Sequence, residues 1–122
     1  MNKLVKLFIT SISAITLALV SFTSSFAKVD GEYIVLGSAI SLTGKYSSNG
    51  VHTQNGYNLA VERINKMGGV NVGGKSYKFE IIYYDDESNP KRAAQLAERL
   101  IKQDGVHYML GPYSSGLTKA IA

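Results

Sequence analysis

Hydrophobic residues recur along this chain in two alternating rhythms. From Tyr33 to Ile40 they are nearly continuous and rich in β-formers, which is the pattern of a strand buried on both faces. From Val51 to Met67 the spacing becomes helical. Tyr57, Ala60, Val61, Ile64 and Met67 fall on one face, and Asn58, Glu62, Asn65 and Lys66 on the other. Gly68-Gly69 ends that helix, because glycine accepts the left-handed position past a helix end. Val70–Lys75 reads as a small hairpin turning at Gly73-Gly74. Tyr77–Tyr84 is a second strand. Its first half alternates Tyr77, Phe79 and Ile81 with Lys78 and Glu80, and charges on one face place it at a sheet edge. Asn89 as N-cap and Pro90 at the first helical position open a second helix. Its predicted inner face is Ala93, Leu96, Ala97, Leu100 and Ile101. Val106–Gly111 is the third strand, and Ser114 or Ser115 starts a third helix.

This β-α-β-α-β-α alternation predicts an α/β fold with a parallel sheet, flanking helices and right-handed crossovers. With the second strand at an edge, the strand order is 2-1-3. The chain then winds one way from the first strand to the second and the other way to the third. Ligands of such sheets bind at that switch point, outside the C-terminal ends of the strands. The loops there are Ser41–Gly50 and Gly111–Ser115, so the two are expected to face each other across one crevice.

The first residues change the picture of where this domain works. Lys3 and Lys6 precede an apolar run, Leu7–Val20, and Ser25-Phe26-Ala27 supplies small residues at −3 and −1 of a cut after Ala27. That is the pattern of a cleavable export signal over residues 1–27, and the alternative is an uncleaved N-terminal anchor. The sequence has no Cys, so neither a lipidated cysteine nor a disulfide is expected. Residues 28–122 would form the exported part. The formal net charge is +4, and loss of Lys3 and Lys6 with the signal halves it. No Lys/Arg cluster with interleaved aromatics stands out, so nucleic acid is not an expected partner. The sequence stops at Ala122 inside an apparent helix, which suggests the beginning of a longer protein.

Catalytic chemistry finds no support. Ala39–Tyr46 nearly matches a phosphate-binding loop but places Tyr46 where a Ser or Thr must reach Mg²⁺. No G-x-G-x-x-G opens a helix, so no dinucleotide cofactor is expected. Asp85-Asp86-Glu87 reads as a hydrated turn rather than a metal site, because consecutive strand side chains alternate. His52 and His107 stand alone. Ser114 and Ser115 read first as helix caps. A capping serine uses its acceptor side and keeps its O–H for a ligand, beside N–H groups that point the same way. Tyr113 and Tyr46 either wall the crevice or pack against their own loops. Asn49 either meets the ligand or caps the first helix.

One ordered series of segments resembles a known family. It runs Ile34–Gly37, Ser41–Gly44, Gly50 before a long helix, Ile64–Val70, Gly74-Lys75, Tyr84–Pro90 with Ala93, and Leu110–Ser115. The series is similar to the leucine/isoleucine/valine-type periplasmic substrate-binding proteins of ABC transporters, in the type I binding-protein family. The resemblance implies a two-lobed protein that closes on an amino acid, of branched-chain type or a similar small carboxylate. This chain would supply the signal and the start of the first lobe. The resemblance also implies delivery to an inner-membrane permease, a periplasmic location, no enzyme activity and no cofactor or metal. In the family the loop after the third strand holds the ligand carboxylate with a Ser hydroxyl and backbone N–H groups. Ser115 matches that Ser, with Tyr113 and Ser114 beside it. Where the family often carries an aromatic before the glycine, this chain has Asn49. The alternative within the same fold is the ligand-binding ectodomain of a sensor or receptor.

Overall fold

The computed structural model describes residues 29–30 and 32–122, so the export signal expected over residues 1–27 lies outside the described residues. The central strand is β2, Tyr33–Ile40. It runs parallel to β4, Lys75–Asp85, in register from Tyr33↔Lys78 to Ile40↔Asp85. It also runs parallel to β5, Tyr108–Met109, through Leu36↔Tyr108 and Gly37↔Met109. The order β4-β2-β5 is the expected 2-1-3, with the switch point at β2.

Two short strands make the sheet mixed rather than purely parallel. β1, Val29–Asp30, pairs antiparallel with the start of β2. β3, Val70–Val72, pairs antiparallel with the start of β4, closing the expected hairpin at Val72↔Lys75. Gly73 and Gly74 both take positive φ there, 60° and 83°, as a tight two-residue hairpin requires. Beyond this hairpin the outer edge of β4 is met by a side chain. Asn65 Nδ2 donates to Phe79 O and Asn65 Oδ1 accepts from Phe79 N–H, each at 2.8 Å. One amide thereby does at Phe79 what a neighbouring strand would do.

α1 spans Ser47–Lys66 and starts four residues before the predicted Val51. The loop is therefore Ser41–Tyr46, not Ser41–Gly50. Polar Ser47, Ser48 and Asn49 concealed the start, yet Gly50 is a packing residue rather than a breaker. A Cβ on Gly50 would overlap the Ser41 carbonyl oxygen, so only glycine lets α1 sit on the end of β2. The helix face also differs from the expected one. Tyr57, Val61 and Ile64 are half-buried, but Ala60 and Met67 are exposed.

α2, Pro90–Lys102, opens as its sequence predicts, with Asn89 accepting from Lys91 N–H and Arg92 N–H. Ala93, Ala97 and Leu100 are buried, whereas Ile101 is exposed. Val35, Leu100 and Val106 form the core, joined by Ile82, Tyr84 and Met109. Tyr84 faces this core, while its neighbour Tyr83 hydrogen-bonds Asn58 of α1 at 2.8 Å. Alternate β4 residues thus put α1 and α2 on opposite faces of the sheet. β5 is shorter than the expected Val106–Gly111. Val106 turns into the core before the strand begins, and Pro112 has no N–H with which to prolong pairing. α3, Ser115–Ile121, packs on α2, and its Leu117 is buried.

Candidate functional site

Three loops leave the C-terminal ends of the parallel strands: Ser41–Tyr46 after β2, Asp86–Asn89 after β4 and Leu110–Ser114 after β5. The second of these was expected to be a hydrated acidic turn. It is instead a clasp on the first loop. Asp86 is fully buried, and its Oδ1 accepts from Ser41 Oγ at 2.6 Å and from Ser88 N–H at 2.7 Å. Asp85 at the strand end accepts from Leu42 N–H at 2.9 Å, Thr43 N–H at 3.2 Å, Thr43 Oγ1 at 2.7 Å and Glu87 N–H at 2.9 Å. Ser88 Oγ donates to Thr43 O at 2.8 Å and accepts from Tyr46 N–H at 3.0 Å. Consecutive acids do alternate in direction, but the turn redirects them onto one loop.

The clasp carries local strain and a pKa signature. Glu87 and Ser88 both take left-handed φ, 54° and 60°, a conformation costing non-glycine residues about 1 kcal/mol or more each. The bonds to Asp85 and Asp86 hold them there. Partial burial by itself would raise the Asp85 pKa, but the bonds from Thr43, Glu87 and Leu42 prevail and hold it below the ordinary carboxylate value. Among the described residues no group of three or more His, Cys, Asp or Glu side chains is arranged to hold a metal ion.

With its backbone fixed by Ser88, Tyr46 projects toward the third loop. Its ring centroid lies 6.1 Å from that of Tyr113, the planes tilted by 54°. Lys45 Nζ sits 4.6 Å from the Tyr46 ring centroid. The two loops expected to face each other therefore do meet, through two tyrosines. Tyr113 keeps half of its surface exposed.

The other expected residues divide. Ser114 is the N-cap of α3, accepting from Leu117 N–H at 3.2 Å, and that bond leaves its hydroxyl proton unused. Ser115 is the first helical residue and is exposed. Asn49 does not cap α1: it lies inside the first turn, exposed, its carbonyl accepting from Thr53 Oγ1 at 2.9 Å. A further residue went unnoticed in the sequence. Tyr57 Oη donates to Gly111 O at 2.9 Å, tying α1 to the third loop. The available signal was its position about three helical turns past Tyr46, on the same face of α1.

A family model described as periplasmic binding protein matches residues 34–122. The chain belongs to this periplasmic binding protein family. A Leu/Ile/Val-binding protein of Rhizobium johnstonii is 32% identical over 93 residues, covering 76% of this chain and 24% of that protein. Among solved structures, the branched-chain amino acid transporter substrate-binding protein LivJ of Streptococcus pneumoniae, in complex with isoleucine, superposes with a TM-score of 0.64. It is 32% identical, over 71% of this chain and 24% of that one. A solute-binding protein of an ABC transporter from Rhodopseudomonas palustris, in complex with 3,4-dihydroxybenzoic acid, gives a TM-score of 0.59. It is 30% identical, over 75% of this chain and 23% of that one. The chain thus spans about a quarter of the length of the binding proteins it matches. The described residues supply a β-α-β-α-β-α segment that includes the switch-point loops.

Proposed function

We propose that this chain is the first part of a periplasmic substrate-binding protein that captures a small carboxylate for an ABC transporter. The observation that carries the reading is the meeting of the Ser41–Tyr46 and Gly111–Ser115 loops at the switch point, in a chain of this family. Tyr46 and Tyr113 supply an apolar wall. The Ser114 and Ser115 hydroxyls and the adjacent N–H groups supply donors for a carboxylate. Asn49, exposed in the first turn of α1, would add an amide in place of an apolar group. Isoleucine and 3,4-dihydroxybenzoic acid, the ligands of the two solved relatives, share a carboxylate on an apolar body, and that chemistry suits this crevice. An amino acid of branched-chain type is the first candidate. Residues 1–27 act as the export signal, the protein works in the periplasm, and its partner is an inner-membrane permease. No catalytic step is assigned.

The test is calorimetric titration of the full-length protein with the branched-chain amino acids and with benzoate-type carboxylates. Saturable one-to-one binding of a carboxylate, lost when its carboxamide is used, supports the reading. Absence of binding across both sets, or equal binding of the carboxamides, removes it.

A further inference from the structure

We infer that Tyr57 is a positioning residue for the ligand loop: its hydroxyl holds the Gly111 carbonyl and so sets the orientation of Gly111–Ser115. The inference rests on the reading of that loop as part of the ligand site. One face of α1 meets the loop twice. The Tyr46 ring at the N-cap lies against the Tyr113 ring, and Tyr57, about three turns later, donates to Gly111 O at 2.9 Å.

Local chemistry makes this bond decisive. The peptide unit joining Gly111 to Pro112 has no N–H, because proline carries none. The Gly111 carbonyl is therefore the one polar handle on its orientation. Sterics offer no hold either, since a Cβ built on Gly111 would meet nothing within 4 Å. Upstream, the sheet ladder ends where Leu110 N–H donates to Gly37 O at 2.8 Å. Downstream, Ser114 is committed to capping α3. Among the described residues no other side chain hydrogen-bonds the backbone of Gly111, Pro112 or Tyr113. Gly111 is thus a swivel between two anchored points, with the freedom glycine brings, and the Tyr57 hydroxyl stops it. α1 itself is held independently by Asn58 on Tyr83 and Asn65 on Phe79, so loss of this hydroxyl leaves the helix in place.

Tyr57→Phe in the full-length protein removes the bond and keeps the ring. Amide hydrogen exchange without ligand is expected to quicken at residues 113–117 and to stay unchanged through α1. Affinity, measured with L-isoleucine and 3,4-dihydroxybenzoate as probes, is expected to fall roughly fivefold for the probe that the unsubstituted protein binds, at an unchanged melting temperature. Adding Gly111→Ala is expected to restore slow exchange. The φ of Gly111 lies outside the left-handed region and the space beside it is open, so the methyl restricts the swivel without strain. Unchanged loop exchange in Tyr57→Phe overturns the inference. So does quickened exchange with undiminished affinity. If the unsubstituted protein binds neither probe, it is the ligand reading that fails, and the exchange result still decides whether Tyr57 holds the loop.

Discussion

The Ser41 hydroxyl donates a 2.6 Å hydrogen bond to Asp86 Oδ1 across 45 positions of sequence, and both residues are fully buried. This contact joins the ends of two parallel strands and fixes the first crevice loop before any ligand arrives. Asp86→Ala removes the acceptor of both Ser41 Oγ and Ser88 N–H. Each buried donor left without a partner costs about 1–3 kcal/mol. A loss of about 3 kcal/mol in urea unfolding of the full-length protein is expected. A loss below about 1 kcal/mol would show that the turn holds itself without Asp86.

Acid should loosen the same clasp. The Asp85 pKa is lowered in the folded protein from its ordinary 3.8. A depressed folded pKa gives stability that is fully present above the unfolded pKa and is lost as pH falls through the folded value. Stability should therefore decline below about pH 4, and Asp85→Asn should flatten that decline. Glu62 and Glu98 are lowered in the same direction by Lys66 and Lys102. Those pairs are exposed and salt-screened, so melting curves in high salt isolate the Asp85 part.

Neighbouring serines should separate stability from binding. Ser114→Ala deletes the α3 cap and should cost about 1 kcal/mol of stability. Ser115→Ala touches no hydrogen bond within the described residues and should leave the melting temperature unchanged. Its affinity loss should be about 1.5–3 kcal/mol if its hydroxyl meets the ligand carboxylate. Paired thermal and calorimetric measurements read both effects. Unchanged affinity in Ser115→Ala would take that residue out of the site.

Gly50→Ala tests the seating of α1. Its methyl would overlap the Ser41 carbonyl, a backbone atom that cannot swing aside. Destabilisation of about 3 kcal/mol or more is expected, although alanine favours helix over glycine. A neutral or stabilised variant, measured by denaturant unfolding, would mean that α1 shifts freely on the end of β2.

The strand order was readable because it follows from composition along single elements. Charged Lys78 and Glu80 marked β4 as the outer of the three parallel strands, although β3 pairs along its first residues and covers that part of the expected edge, and unbroken apolar Tyr33–Ile40 marked β2 as the central one. The Asn89-Pro90 helix start and the Gly73-Gly74 turn were readable for the same reason, since each depends on neighbours in sequence. The start of α1 was not. Its glycine answers to Ser41, nine positions earlier, and local propensity argues the opposite way.

The candidate site shows the same division. The sequence by itself determined which loops leave the switch point and which residue types they carry: tyrosines, serines and an amide. These are local properties of strand ends and helix starts. Only the tertiary structure decided that Asp85 and Asp86 grip the first loop, that Tyr46 meets Tyr113, and that Tyr57 reaches Gly111. The physical reason is that each of these contacts joins residues more than forty positions apart. Their geometry depends on the twist and register of three strands together, which no local pattern of residues encodes.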